Sequence, residues 1–215
     1  GDPSGVGPYV IKKSLEVLKT YLPEITISKN MEEDKLEYFY SLSDLAWALK
    51  DFEIATDIAV QLDKIDKGRL AEYIRLYTYF YYKQNHRLAS IYALKGYEKY
   101  KDPFLLSGYV DSLYLSEEFQ GIVNFVESNK IDYQTSPLIT SRYISSLLKL
   151  NKTQKALNIS TSILNKNFDP QILSELIFVS IEQSDQNLAK YIVMNFRNYE
   201  KKLPKPFTFL YLFLQ

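Results

Sequence analysis

A small side chain recurs about every 34 residues along this chain, and this period constrains the fold more than any other feature of the sequence. The series is Ala55, Ala89, Ala156 and Ala189, with Ile122 at the one place where the small residue is missing. Successive members are 34, 33, 34 and 33 residues apart. A fixed period of this length is typical of a chain built from stacked copies of one supersecondary unit.

Apolar residues within each copy follow the spacing of two amphipathic helices joined by a short turn. The pattern predicts an all-α fold, an α-solenoid of about five helix–turn–helix repeats in residues 36–204. The predicted repeats are residues 36–69, 70–102, 103–136, 137–169 and 170–204. The recurring alanine is expected where the two helices cross, because a methyl group lets the backbones approach to the short end of the usual spacing of about 8–10 Å. Ile122 therefore predicts looser packing or a shifted crossing angle in the third copy.

The segments that flank the repeats have other patterns. Residues 1–8 are rich in turn formers and are interpreted as a linker or an expression scar. Residues 9–35 are predicted to form an extra N-terminal amphipathic helix, Tyr9 to Leu22, and a polar connector in which residues 32–34 favour a helix N-terminus. Residues 205–215 are predicted to form a helix that either caps the array or begins a truncated sixth repeat.

Composition argues against several classes of function. The chain has 26 basic and 26 acidic residues, and such a balance argues against nucleic acid and membrane-surface partners, which require a basic excess. No apolar run reaches the length of about 18 residues that a membrane span needs. Cysteine is absent, histidine occurs once, and neither a phosphate-binding glycine loop nor a hydrolase or metalloprotease motif is found. The chain is therefore predicted to be no enzyme and to hold no cofactor or metal.

The repeats resemble the tetratricopeptide repeat family, whose unit has 34 residues, an aromatic residue after the turn, a small residue three positions later and a closing proline. Phe52 with Ala55 and Phe119 with Ile122 match the aromatic-to-small spacing, and closing prolines stand at 103, 170 and 204. The small residue expected in the first helix is Ser43 in the first copy but Tyr77, Val110, Ile144 and Ile177 in the others. The resemblance is thus to degenerate repeats, and it implies a right-handed superhelix.

The resemblance also implies a concave groove formed by the first helices. The groove positions that it assigns are Tyr40, Asp44, Trp47, Ile74, Thr78, Tyr81, Ser107, Asp111, Tyr114, Ser141, Ser145, Ser174 and Phe178. An aromatic groove of this kind could hold a partner helix or an extended peptide. In the alternative interpretation, the aromatic residues only pack between neighbouring first helices. The Lys and Asn residues that grip chaperone tails in one subclass are missing, so such an adaptor is not expected.

The leading hypothesis is a non-catalytic scaffold that binds a protein or peptide in the groove, within a larger assembly. The alternative is a self-association module of a multisubunit complex, such as a ubiquitin ligase or a bacterial envelope, secretion or motility assembly. The candidate residues for a homo-oligomer contact are Phe207, Phe209, Leu210, Leu212 and Phe213. The sequence does not distinguish these settings or the compartment.

Overall fold

The computed structural model describes residues 32–166, 169–182 and 184–197, together with Lys13 and Lys205. In these ranges every regular element is helical, which confirms the predicted all-α fold. The helices are α1 (Glu33–Ala48), α2 (Phe52–Lys64), α3 (Leu70–Tyr82), α4 (His86–Tyr100), α5 (Pro103–Leu115), α6 (Phe119–Ser128), α7 (Pro137–Lys149), α8 (Thr153–Lys166), α9 (Pro170–Glu182) and α10 (Gln186–Phe196). A short 3-10 turn at Tyr133–Thr135 precedes α7.

The helices follow one another as pairs, and each pair is a first and a second helix in the sense of the predicted repeats. α1 packs on α2, α3 on α4, α7 on α8 and α9 on α10. Ring contacts join α5 to α6, with Tyr109 against Phe125 and Tyr114 against Phe119. The helix of the first copy begins at Glu33, three residues earlier than its apolar pattern indicates, and Glu33 and Asp34 lie in its first turn as expected.

The same turn joins the two helices of every pair. One residue adopts a left-handed conformation with φ between 52° and 63°; these residues are Lys50, Gln84, Glu117, Asn151 and Ser184. The next backbone N–H then donates to a carbonyl five residues earlier, for example from Asp51 to Ala46 at 2.8 Å and from Asn85 to Phe80 at 2.9 Å. This bond belongs to the Schellman closure of a helix C-terminus. Asp51, Asn85 and Asp185 also cap the following helix with their side chains. The turn thus reverses the chain within three residues.

The recurring small residue lies at the centre of the helix pairs. Ala55, Ala89, Ile122 and Ala156 are fully buried, and Ala189 is half-buried. The larger residues at the first-helix position, Tyr77, Val110, Ile144 and Ile177, are also buried, so the fold accommodates them inside. The looser packing expected around Ile122 stays a prediction.

The chain divides into two compact units, residues 1–108 and 109–215. Unit 1 has a core between α1 and α2 that includes Leu36, Phe39, Ile58 and Leu62. In unit 2 the central element is α7, which contacts α6, α8, α9 and the 3-10 turn. Nine of its thirteen residues are buried.

The segments predicted to flank the array lie outside the described residues, apart from residues 32–35, Lys13 and Lys205. These segments are the linker at residues 1–8, the N-terminal helix and the C-terminal helix. Their predicted structures stay predictions.

Two glycines in helices differ sharply in the space around them, and this difference yields a stability prediction. A Cβ added to Gly96 on α4 would lie 2.7 Å from the Cβ of Tyr73 and 2.5 Å from Cδ1 of Leu105, whereas one added to Gly121 on α6 would meet nothing closer than 3.8 Å. Alanine favours a helix over glycine by about 1 kcal/mol, but overpacking costs about 1–3 kcal/mol. Gly96→Ala should therefore lower the free energy of unfolding, and Gly121→Ala should raise it. Urea denaturation of both variants measures the effect; equal shifts would contradict the close packing of α4.

Two buried tyrosines predict a loss of stability in alkali. The Tyr73 hydroxyl donates to Asp63 at 3.0 Å, and that of Tyr143 donates to Glu127 at 3.1 Å. Burial first, and then the neighbouring carboxylate, raise the pKa of both phenols well above the usual value of 10.0. In the unfolded chain these phenols ionise near pH 10, so the stabilisation is complete below about pH 10 and declines as the pH rises towards the folded-state pKa.

Unfolding free energies measured between about pH 8 and pH 12 should therefore fall less steeply for Tyr73→Phe and Tyr143→Phe than for the wild type. Tyr82, whose side chain is 81% exposed, provides the control, and Tyr82→Phe should leave the slope unchanged.

Candidate functional site

In unit 1 the predicted groove residues lie on α1 and α3, the two first helices. Asp44 is exposed, and Tyr40 and Trp47 are half-buried. On α3, Ile74, Thr78 and Tyr81 are also half-buried. The Tyr40 hydroxyl donates to the carbonyl of Lys67 at 2.7 Å, which ties α1 to the segment before α3. All six positions thus retain some access to solvent.

Two arginines of the second repeat hold the α1 residues in place. Arg75 Nη2 lies 2.6 Å from Asp44 Oδ1, and its guanidinium carbon lies 5.9 Å from the centre of the Trp47 ring. Arg69 Nη2 lies 3.0 Å from the same Asp44 oxygen, with its guanidinium carbon 4.1 Å from the centre of the Tyr40 ring. A guanidinium over an aromatic face is attracted by the ring quadrupole. Each arginine therefore contacts both a carboxylate and a ring of the neighbouring first helix.

A buried carboxylate beneath these arginines orients them. The side chain of Glu72 is 0% exposed and accepts hydrogen bonds from the backbone N–H and Nε of Arg69, both at 3.0 Å. It also accepts from Arg69 Nη2 at 2.8 Å and Arg75 Nη1 at 3.3 Å. The hydrogen bond to Glu72 is the largest of the effects that raise the pKa of Arg69, so this guanidinium stays charged. Two acids and two bases thus form one connected network.

The same arrangement recurs in unit 2, two repeats later. Arg142 Nε lies 2.8 Å from Asp111 Oδ1, and its guanidinium carbon lies 4.3 Å from the centre of the Tyr114 ring. Arg142 Nη1 also lies 3.7 Å from Glu175, which accepts a hydrogen bond from the Ser145 hydroxyl at 2.8 Å. We call the sets Asp44–Arg75–Trp47 and Asp111–Arg142–Tyr114 the two arginine clasps. Each clasp joins the first helices of adjacent repeats.

In the second repeat, the position of the clasp aspartate holds Thr78, and in the third repeat the position of the arginine holds Gly108. A Cβ on Gly108 would come within 2.6 Å of the Tyr77 ring, so an aromatic ring occupies the space that a side chain would need. The first helices therefore use two kinds of contact: an ion pair with an aromatic face, and a ring against glycine.

Other predicted groove residues differ in their access to solvent. Ser141, Ser145 and Ser174 are buried; Ser141 donates to the Leu138 carbonyl and Ser174 to the Pro170 carbonyl. Ser107 is half-buried, and the Phe178 side chain is 50% exposed. The structure therefore brings Asp111, Tyr114 and Ser145 into one network through Arg142 and Glu175, and it leaves Phe178 outside that network.

Sequence reasoning missed the residues that organise this surface, namely Arg69, Glu72, Arg75, Arg142 and Glu175. A signal was present in the sequence, because an aspartate on one first helix and an arginine on the next recur two repeats apart. The residues predicted for self-association, from Phe207 to Phe213, lie outside the described residues.

Among the described residues, no group of three or more His, Cys, Asp and Glu side chains could hold a metal ion. Of the helices in the described ranges, none combines the length and the apolar character that crossing a membrane requires.

Comparison with known proteins places the repeats in context. Residues 9–208 match a family model described as tetratricopeptide repeat. No curated protein and no solved structure matches the chain.

The network beneath the first clasp predicts unequal effects of its two acids on stability. Glu72→Ala leaves Arg75, whose side chain is only 12% exposed, with part of its charge uncompensated. Loss of one partner from a buried pair costs about 3–5 kcal/mol, so about 2–4 kcal/mol is expected at this partly accessible site. Asp44 is 49% exposed, and Asp44→Ala should cost at most about 1 kcal/mol. Urea denaturation compares the variants, with the isosteric Glu72→Gln expected between them. Equal losses would show that the buried carboxylate does not organise the arginines.

Proposed function

The chain belongs to the tetratricopeptide repeat family, as its repeat spacing predicted, and we propose that it is a non-catalytic scaffold whose first helices bind a helix or peptide of a partner protein. Repeats of this family generally mediate protein–protein interactions. The finer proposal concerns the surface that is used, namely the first-helix surface of unit 1 formed by Tyr40, Asp44, Trp47, Thr78 and Tyr81. The chain would contribute this surface to a larger assembly.

The observation that carries the proposal is the immobilisation of solvent-accessible recognition groups by the first clasp. Trp47 and Tyr40 are half-buried, and an arginine lies over the face of each ring. Side chains that are already ordered lose little conformational entropy when a partner binds. Aromatic residues and arginine are also the side chains that most often dominate binding energy at protein interfaces. The surface therefore combines suitable residue types with a fixed geometry.

The accessible polar atoms indicate what kind of partner fits. Asp44 remains 49% exposed although it pairs with two arginines, and Thr78 and Tyr81 add hydroxyl groups along α3. Such a surface suits a partner segment that offers both apolar side chains and hydrogen-bond donors. The buried serines of unit 2 offer less accessible polar surface, so unit 1 is the better candidate.

The test compares the partners that the full chain captures from its native cells with those of variants, using quantitative mass spectrometry. Trp47→Ala and Tyr81→Ala should each lower the recovery of a specific partner by about tenfold, which corresponds to a loss of about 1.4 kcal/mol in binding. Ile91→Ala, at a 42% exposed apolar residue of the second helix α4, is the matched control and should retain the partner.

Each variant is first checked for an unchanged midpoint of thermal unfolding, so that lost binding is not lost folding. Retention of every partner by both Trp47→Ala and Tyr81→Ala would contradict the use of the first-helix surface. Light scattering at two concentrations addresses the self-association alternative, because only a self-associating chain gains mass with concentration.

A further inference from the structure

Helix α1 carries an exposed apolar side that is distinct from the first-helix surface of unit 1. Tyr38, Leu45 and Leu49 follow one another at seven and four residues and therefore share one side of the helix. Their side chains are 55%, 37% and 40% exposed. We call these three residues the outer face of α1.

The corresponding side of the later first helices is covered. Tyr38 corresponds to Glu72, Leu105, Ile139 and Ile172 in the following repeats, and all four are at most 1% exposed. Leu45 corresponds to Ser112, Ser146 and Val179 in the third to fifth repeats, and these are fully buried. The outer face of α1 is thus a site that the fold fills in every later repeat.

The covering element in the later repeats is the second helix of the repeat before. α2 contacts α3, α6 contacts α7, and α8 contacts α9. In unit 1, α4 approaches Leu105 of α5 so closely that a methyl group on Gly96 would lie 2.5 Å from it. Because Leu105 corresponds to Tyr38, the packing of α4 on α5 shows how a helix would fit the outer face of α1.

Charge alternates from repeat to repeat, although the whole chain is neutral. Residues 32–66 have ten acidic and three basic side chains, and residues 67–102 have three acidic and eight basic ones. Residues 103–136 have five acidic and one basic, and residues 137–169 have one acidic and five basic. Acidic repeats therefore alternate with basic ones along the first four copies.

Ion pairs between repeats follow this alternation. Besides the arginine clasps, Lys95 lies 2.7 Å from Asp63, Lys99 lies 3.0 Å from Asp66, and Lys155 lies 3.1 Å from Glu127. In each pair the carboxylate belongs to the first or third repeat and the base to the second or fourth. Complementary charge of this kind adds little energy at an exposed pair but selects the neighbour that fits.

We propose that the outer face of α1 is a docking site for a basic amphipathic helix of a partner protein, packed on α1 as α4 packs on α5. The partner helix carries small residues three or four positions apart on its docking side, as α4 does with Ala89, Ala93 and Gly96, so that it can approach Tyr38 and Leu45. Lysine or arginine residues beside that side complement the acidic first repeat.

The acidic side chains of the first repeat support a basic partner. Asp34 and Glu37 are exposed on α1, and Glu53 and Asp57 are exposed on α2. Burial first, and then the charge of Glu53, raise the pKa of Asp57, so the two carboxylates oppose each other's ionisation. A cation placed beside them would relieve this repulsion.

The test uses a fluorescein-labelled peptide of residues 86–100, the sequence of α4, as the probe for a basic second helix. Fluorescence anisotropy with the full chain should show saturable binding that weakens as salt is raised from about 50 to 500 mM, since salt screens exposed charges. Leu45→Asp, which places a charge in the apolar contact, should weaken binding by about tenfold or more.

Three controls distinguish docking on the outer face from binding of the peptide at another surface of the chain. A peptide with Arg87→Glu, Lys95→Glu and Lys99→Glu should not bind, because its charges match those of the first repeat. Met194→Asp, at an apolar side chain that is 82% exposed in unit 2, should leave binding unchanged. Trp47→Ala should also leave it unchanged, so failure of the first-helix surface and failure of the outer face remain distinguishable.

Two results would overturn the proposal. One is equal binding of the α4 peptide to the wild type and to Leu45→Asp, which would place the peptide elsewhere. The other is the absence of binding to the full chain, which is also the result expected if residues 9–22 of the chain cover the outer face themselves.

Discussion

Each helix pair of this chain leaves an apolar side that it cannot bury alone, and burial of that side against a neighbouring repeat is the constraint on which the structure depends. Leu105, Ile139 and Ile172 are buried because a second helix of the preceding repeat lies beside each first helix in the same sequence position. Apolar burial at about 25 cal/mol per Å² supplies the driving force, and it does not select which repeat lies next to which. The outer face of α1 has the same chemistry without that cover.

Selection between neighbours comes from charge and shape instead. The arginine clasps join an acidic repeat to a basic one, and the ring of Tyr77 against Gly108 joins repeats where the clasp residues are missing. An arginine that pairs with a carboxylate and lies over a ring has little freedom to fit another partner, because its planar donors and its face are both in use. The same contacts immobilise Trp47 and Tyr114, so the device that orders the repeats also shapes the surface proposed for partner binding.

Much of the fold could be predicted from the sequence, because its signals are local. The period of the small residues, the turn positions before Phe52, His86 and Phe119, and the helical spacing of apolar residues all depend on neighbours a few positions away. The surface was predicted less well. Asp44, Trp47, Asp111 and Tyr114 were identified by position, but their arginine partners were not. These partners lie about one repeat away, and only packing decides which side chains meet across that distance.

The sequence by itself determined the repeat unit, its all-α character and its membership of the tetratricopeptide repeat family, because helix periodicity and turn chemistry act within one unit. Only the tertiary structure decided which groups are accessible. Glu72 occupies a position that is apolar in the three later repeats, yet it is fully buried, since two arginines from its own helix region converge on it. Ser141 and Ser145 are polar and buried, while Tyr38 and Leu45 are apolar and exposed. Exposure depends on whether a neighbouring helix covers the site, and no single position in the sequence carries that information.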